Sequence, residues 1–275
     1  MPLVYACVAP HGGEIVPALA GRRLSLFAPT RKGMQGLAKS MKEARPDTII
    51  VATPHSLRLD RHIGVVTSEF SSGRVTEGSR EIRLRARCDV ELAKKLATAA
   101  GSHGLPVVAA NYGVFEGPLS DMPMDWGTLI PLWFLLKGTR LKSRIVVVTP
   151  SREIPLAQNV EFGRVAAEVS TEERTRVAFV ASADQAHAHR KGSPYGFDRR
   201  AAEYDRRVVE AIGAGRLGET IMGMEPDFVE GAKPDSLWQM AMLVGILSVL
   251  PMEGKLLSYQ VPTYYGMLCA SFRPR

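Results

Sequence analysis

The chain has 275 residues, 45% of them hydrophobic and 23% charged, with a formal net charge of +7. A chain of that length can bury a full core without disulfides, and its balance excludes a disordered or fibrous protein. Three scattered cysteines, Cys7, Cys88 and Cys269, with no CxxC argue against a disulfide framework and point to a reduced, cytoplasmic setting.

The first element is a strand in which Val4, Ala6 and Val8 alternate with Tyr5 and Cys7, apolar on both faces. It stops at Ala9-Pro10, since proline supplies no ladder N–H, and His11 follows on a turn loosened by Gly12 and Gly13. Thr30 has the chemistry of an N-cap, with Met34, Leu37, Ala38 and Met41 at helical spacing behind it. Residues 48–53 (TIIVAT) form a second buried strand, again followed by proline and histidine, Pro54-His55. Strands are expected at residues 62–67 and 81–87, with a Ser/Gly-rich loop or hairpin connection at 68–79 between them. Asp89 caps a helix to residue 100, and residues 105–110 make a short apolar strand.

The long loop 111–126 precedes a buried helix over 128–137 and a strong strand at 144–149. A helix over 156–170 leads to the strand 177–182, which is followed by Asp184 and His187. An amphipathic helix (199–212), an acidic connection (225–234) and a last helix (236–250) come next. Ser236 and Gln239 have the spacing of a capping box for that helix. Two closing strands, 256–261 and 267–272, suit an antiparallel hairpin. The alternation of strands and helices predicts an α/β fold, one domain over residues 1–275. Its sheet should be mainly parallel or mixed, with helices on both faces.

No basic block and no aromatic–basic alternation is present, so nucleic acid is not an expected partner. The longest apolar segment, 237–252, is broken by Gln239, Ser248 and Pro251 and is too short to span a bilayer. Exposed-looking methionines, Met222, Met224, Met240 and Met242, permit a homo-oligomer without requiring one.

Three strands of one predicted parallel sheet end in histidines, His11, His55 and His187, and such ends lie side by side. Two neutral imidazoles and a carboxylate with open positions suit non-haem Fe(II); zinc with a water is the alternative. Glu14, Glu230 and Asp235 are the candidate carboxylates. His103 and His62 suit surface and structural roles, whereas His189 is a candidate substrate contact.

APHGGE at 9–14, TPHS at 53–56, SADQAH at 182–187 before Pro194-Tyr195-Gly196, and SYQVPTYYGM at 258–267 together resemble the class III extradiol ring-cleavage dioxygenases. These are catalytic subunits of the protocatechuate 4,5-dioxygenase type, and Memo-type proteins share their architecture. The resemblance implies Fe(II) held by His11, His55 and a carboxylate, His187 as acid–base group, and a small aromatic diol with O2 as substrates. It also allows a small accessory subunit. The carboxylate position falls in KPDSLWQMAMLVGIL, giving Asp235 where the family has glutamate, with Glu230 in reserve. Many relatives carry Asp-His-Gly where this chain has Asp125-Trp126-Gly127, and an indole cannot shuttle a proton. His189, Trp126 and Tyr265 are expected to frame the substrate. A Memo-like metal-binding role without ring cleavage is the alternative.

Overall fold

Strands apolar on both faces are stable only with paired neighbours at their edges and a layer above and below. The computed structural model, which describes residues 3–136 and 142–275, satisfies both conditions. The elements run β1 (Leu3–Ala9), α1 (Pro17–Ala20), α2 (Ala28–Ala44), β2 (Thr48–Ala52), β3 (Ile63–Val66), β4 (Phe70–Glu77) and β5 (Arg80–Arg87). They continue through α3 (Val90–Ser102), β6 (Val107–Ala110), β7 (Asp121–Pro123), α4 (Trp126–Leu136), β8 (Arg144–Thr149), α5 (Leu156–Glu172) and β9 (Val177–Ser182). The chain closes with α6 (Arg199–Ala214), α7 (Leu217–Met222), α8 (Pro226–Ala232), α9 (Leu237–Val249), β10 (Met252–Gln260) and β11 (Met267–Pro274).

Eight strands form one sheet in the order β10-β11-β1-β9-β2-β8-β3-β6. The four central strands β1, β9, β2 and β8 are mutually parallel, and the closing hairpin β10–β11 adds to β1 antiparallel. The sheet is therefore mixed. Alternate residues of each central strand enter opposite cores, as a period of two requires. Ile50, Val146, Val148 and Phe179 face Leu96, Phe162, Val208 and Leu243 of α3, α5, α6 and α9. Ile49, Val51, Val147 and Val180 share the other core with Met34 and Leu37 of α2 and Leu132 of α4. Ile82 and Met122 of the small sheet β5-β4-β7 join that second core, so this sheet is a flap on the same body. Among the described residues no helix is long and apolar enough to cross a membrane.

Three local expectations are corrected and a fourth is narrowed. Helix α2 starts two residues before Thr30, because Pro29 in its first turn loses nothing by lacking an N–H. Thr30 is buried inside the helix. The Ser/Gly-rich segment is strand β4 with the turn that joins it to β5, so of the two expected forms it is the hairpin and not the loop. Its small residues serve packing: a Cβ on Gly73 would stand 2.3 Å from the Met124 carbonyl oxygen. The acidic connection holds α8, started by Pro226. Helix α4 begins at Trp126, and the expected end at Lys137 lies outside the described residues. Asp89 does cap α3, accepting from the Leu92 N–H.

Helices α5 and α9 cross at two glycines. A Cβ on Gly163 would meet the Met242 carbonyl oxygen at 1.9 Å, and one on Gly245 the Val160 carbonyl oxygen at 1.9 Å. Both obstacles are backbone, so neither helix can yield locally. Gly163→Ala should therefore lower stability by about 2 kcal/mol or more, read from urea or thermal denaturation. An unchanged midpoint would show that the helices can part without cost.

Candidate metal centre

Parallel neighbours present their carboxyl ends on one rim, and β1, β9, β2 and β8 are consecutive parallel neighbours. His11 follows β1, His55 follows β2, Arg152 follows β8, and Asp184 and His187 follow β9. Asp235 comes to the same rim from another element, one residue before the Ser236 cap of α9.

His11 Nε2 and His55 Nε2 are 3.0 Å apart, and Asp235 Oδ2 lies 3.2 Å from the first and 3.1 Å from the second. Asp235 Oδ2 is buried and receives no hydrogen bond of acceptable direction. Ligands about 2.1 Å from a cation lie about 3.0 Å apart on adjacent corners of an octahedron and about 3.4 Å apart on a tetrahedron. The triangle thus matches one face of an octahedron and leaves the opposite face for guests. These three residues therefore fit a divalent cation. Asp184 Oδ2 approaches His11 Nε2 to 3.3 Å. It stays outside the mutually close set, all within 4.8 Å, that His11, His55 and Asp235 form.

A profile described as the catalytic LigB subunit of aromatic ring-opening dioxygenase matches residues 5–268. The chain belongs to the LigB family. It is 24% identical over 252 residues to Protein CA_C1420 of Clostridium acetobutylicum, covering 91% of this chain and 53% of that protein. It thus spans about half the length of that curated relative. Its fold is similar to the crystal structure of an uncharacterized Escherichia coli K12 protein, JW3007. The TM-score is 0.59, with 16% identity, over 98% of this chain and 99% of that one.

In this LigB-family chain the ligands are aimed by a layer of hydrogen bonds behind them. Ser182 Oγ donates to the Gly127 carbonyl at 2.5 Å, so it can only accept from His11 Nδ1, 3.0 Å away. That assigns the His11 proton to Nδ1 and frees the Nε2 lone pair for a cation. Asp184 Oδ1 accepts the His11 backbone N–H at 3.0 Å. Asp125 caps α4 through Thr128 N–H and also receives Thr53 Oγ1 at 2.7 Å, locking the end of β2 under Trp126. The Trp126 indole stacks on the His55 ring at 4.2 Å. Gly127 is confined: a Cβ there would meet Thr53 Oγ1 at 2.5 Å and His55 Cδ2 at 3.3 Å.

Electrostatics favour positive charge at the triangle. Burial alone would raise the Asp235 carboxyl, but the two imidazoles facing it hold it well below the usual carboxylate range. Burial likewise opposes a charged His11, yet Asp184 and Asp235 beside it raise its pKa above the ordinary value. A divalent cation is the natural replacement for that proton.

The other expected residues separate into two groups. His187 shares a cavity of about 290 Å³ with His55, Arg152, Tyr195, Asp235 and Trp238. Its Nδ1 donates to the Gln185 carbonyl at 2.9 Å, which leaves Nε2 as the basic nitrogen. Burial lowers its pKa below the ordinary histidine value. Tyr265 backs His187, with rings stacked 5.1 Å apart, and donates to Glu14 at 3.1 Å. Glu14 is thereby placed behind the site instead of in the triangle. His189 does not line this cavity: its Nε2 is 2.9 Å from the buried Asp205 carboxylate, which binds Tyr259 as well. Glu230 stands at the cavity wall, ion-paired with Lys233 and outside the triangle. His62 and His103 lie in exposed surface contacts. A larger cleft, about 920 Å³, lies by Arg87, Tyr112 and Phe115, but it holds no histidine.

The capping box is not formed. Ser236 Oγ bonds the Tyr204 hydroxyl at 2.9 Å, and Gln239 donates to the carbonyls of Ser182 and Asp235. Both residues brace the site instead of the helix end. Sequence reading also missed Ser182, Asp184, Asp125 and Arg152 as members of the site. Arg152 had a usable signal: Thr149-Pro150 repeats the strand-then-proline pattern of Ala9-Pro10 and Thr53-Pro54.

Ser182→Ala removes the acceptor that fixes the His11 tautomer while leaving the fold intact. Affinity for a divalent metal should fall about 10–100-fold, measured by competition with a chromophoric chelator. Unchanged affinity would mean that Ser182 does not set the tautomer.

Proposed function

We propose that the chain opens the ring of a catechol-type diol with O2, with Fe(II) held by His11, His55 and Asp235. The observation that carries this reading is the convergence of two Nε2 atoms and an unbonded carboxylate oxygen beside a cavity that also holds His187. Membership of a family described as aromatic ring-opening dioxygenases supports the reaction class. When bound, the metal would supply Lewis acidity and a meeting point for both reactants.

The protein's own residues supply the rest. His187 Nε2 is unprotonated at neutral pH, because Nδ1 is tied to Gln185 and burial disfavours the imidazolium. It takes the proton of a diol hydroxyl and returns one as the ring opens. Tyr265 holds the His187 ring by stacking, and Tyr195 closes on it edge-on with centroids 5.0 Å apart. The half-exposed Trp126 presents an apolar face beside His55.

The protein should be produced without oxygen, loaded with Fe(II) and mixed with a panel of catechols in air. A yellow ring-opened product is expected, and its absence at stoichiometric iron would sink the reading. His11→Ala and His55→Ala should each lose the metal. His187→Ala should keep it and slow turnover about a hundredfold or more.

The pH profile gives an independent check. Acid inactivates by protonating His187, and burial moves that event to lower pH, so the acid limb of kcat/KM should lie below 6.5. A limb above that value would assign the inactivation to a group other than His187, such as His11, whose pKa Asp184 and Asp235 raise.

One observation favours a second reading, a metal-binding protein that does not cleave rings. Trp126 stands where many ring-cleaving relatives have histidine, and its stacked indole has no basic nitrogen. Metal analysis after anaerobic purification separates the two: zinc in place of iron, with no turnover on any diol, would establish the second.

A further inference from the structure

We propose that Arg152 is a positioning residue that keeps Asp235 a one-oxygen ligand, so that a bound cation retains three positions for guests. The inference rests on the metal-centre reading above and adds a role for a side chain which that reading does not use.

The two oxygens of Asp235 have different surroundings. Oδ1 takes a charged hydrogen bond from Arg152 Nη2, whereas Oδ2 faces the two imidazole nitrogens with no hydrogen bond of its own. Arg152 is itself held at a second point. Its guanidinium lies over the Trp238 ring, 4.6 Å from the centroid, and Trp238 belongs to the helix that Asp235 precedes. The arginine is thus clamped between one oxygen of the carboxylate and the first turn of α9.

A carboxylate can meet a cation through one oxygen or through both. Two histidines and a one-oxygen aspartate occupy about three corners of an octahedron, leaving about three. A diol chelating through two oxygens together with one small molecule needs all of them. A second oxygen from Asp235 would remove one. Guanidinium keeps its charge throughout the working pH range and can only donate, so it occupies Oδ1 under every relevant condition.

The competing role, an anchor for an anionic substrate, is less well supported. Arg152 is already neutralised by Asp235, and Lys233, the other cation at the cavity, is paired with Glu230.

The test counts waters on Mn(II) bound to the full chain, by 17O line broadening or electron spin-echo spectroscopy, in the wild type, Arg152→Met and Arg152→Lys. The wild type and Arg152→Lys should show about three waters and Arg152→Met about two, because Asp235 then closes with both oxygens. Mn(II) affinity in Arg152→Met should be equal or tighter, which loss of structure would not produce. Arg152→Gln, too short to reach, should show the same loss and serves if the methionine variant does not fold. Three waters in the variants lacking the cation would overturn the role of Arg152 and leave the ring-opening reading standing. A wild type that binds no Mn(II) would overturn both.

Discussion

Three atoms that could each ligate a cation converge on one point, and the side chains around them hold them there. Two imidazole nitrogens and a carboxylate oxygen at 3.0–3.2 Å repel one another unless positive charge lies among them. Left free, the rings would turn and the acid would seek a donor. Ser182 and Asp184 hold His11, Trp126 covers His55, and Arg152 holds the far oxygen of Asp235. The direction of these atoms is therefore decided one layer out, in hydrogen bonds and a ring stack.

Much of this was readable from the chain. Uninterrupted runs of Val, Ile and Ala announce strands buried on both faces, and the alternate residues of those runs do enter opposite cores. Pro10 and Pro54 mark where the ladders must stop, which brings His11 and His55 to one rim. Asp235 was harder to choose, because its spacing from a helix cap is equally that of a dipole-stabilising acid. In the fold its Oδ2 faces both rings, whereas Glu230 pairs with Lys233 outside that triangle.

The remaining differences have a common cause. A motif reports which partners are near in sequence, and several of these side chains found better partners far away. Ser236 and Gln239 have capping-box spacing, but the Tyr204 hydroxyl took the first and the Ser182 carbonyl, at the end of β9, took one N–H of the second. His189 has the look of a substrate contact, but the fully buried Asp205 took its ring nitrogen. The serines and glycine of β4 suggest a loop, but two flanking strands and the Met124 carbonyl use their smallness. In each case a tertiary partner outcompeted a local one, which no single-chain pattern can reveal.

The crossing of α5 and α9 reaches further than the core it fills. Backbone touches the positions of Gly163 and Gly245, so α9 already sits as near to α5 as covalent geometry allows. Asp235 stands one residue before the cap of that helix, and its carboxylate reaches both imidazoles. Two glycines deep in the core thus fix the footing of an acidic group at the rim, so a larger side chain at either position would be felt in the aim of that carboxylate as well as in the stability of the fold.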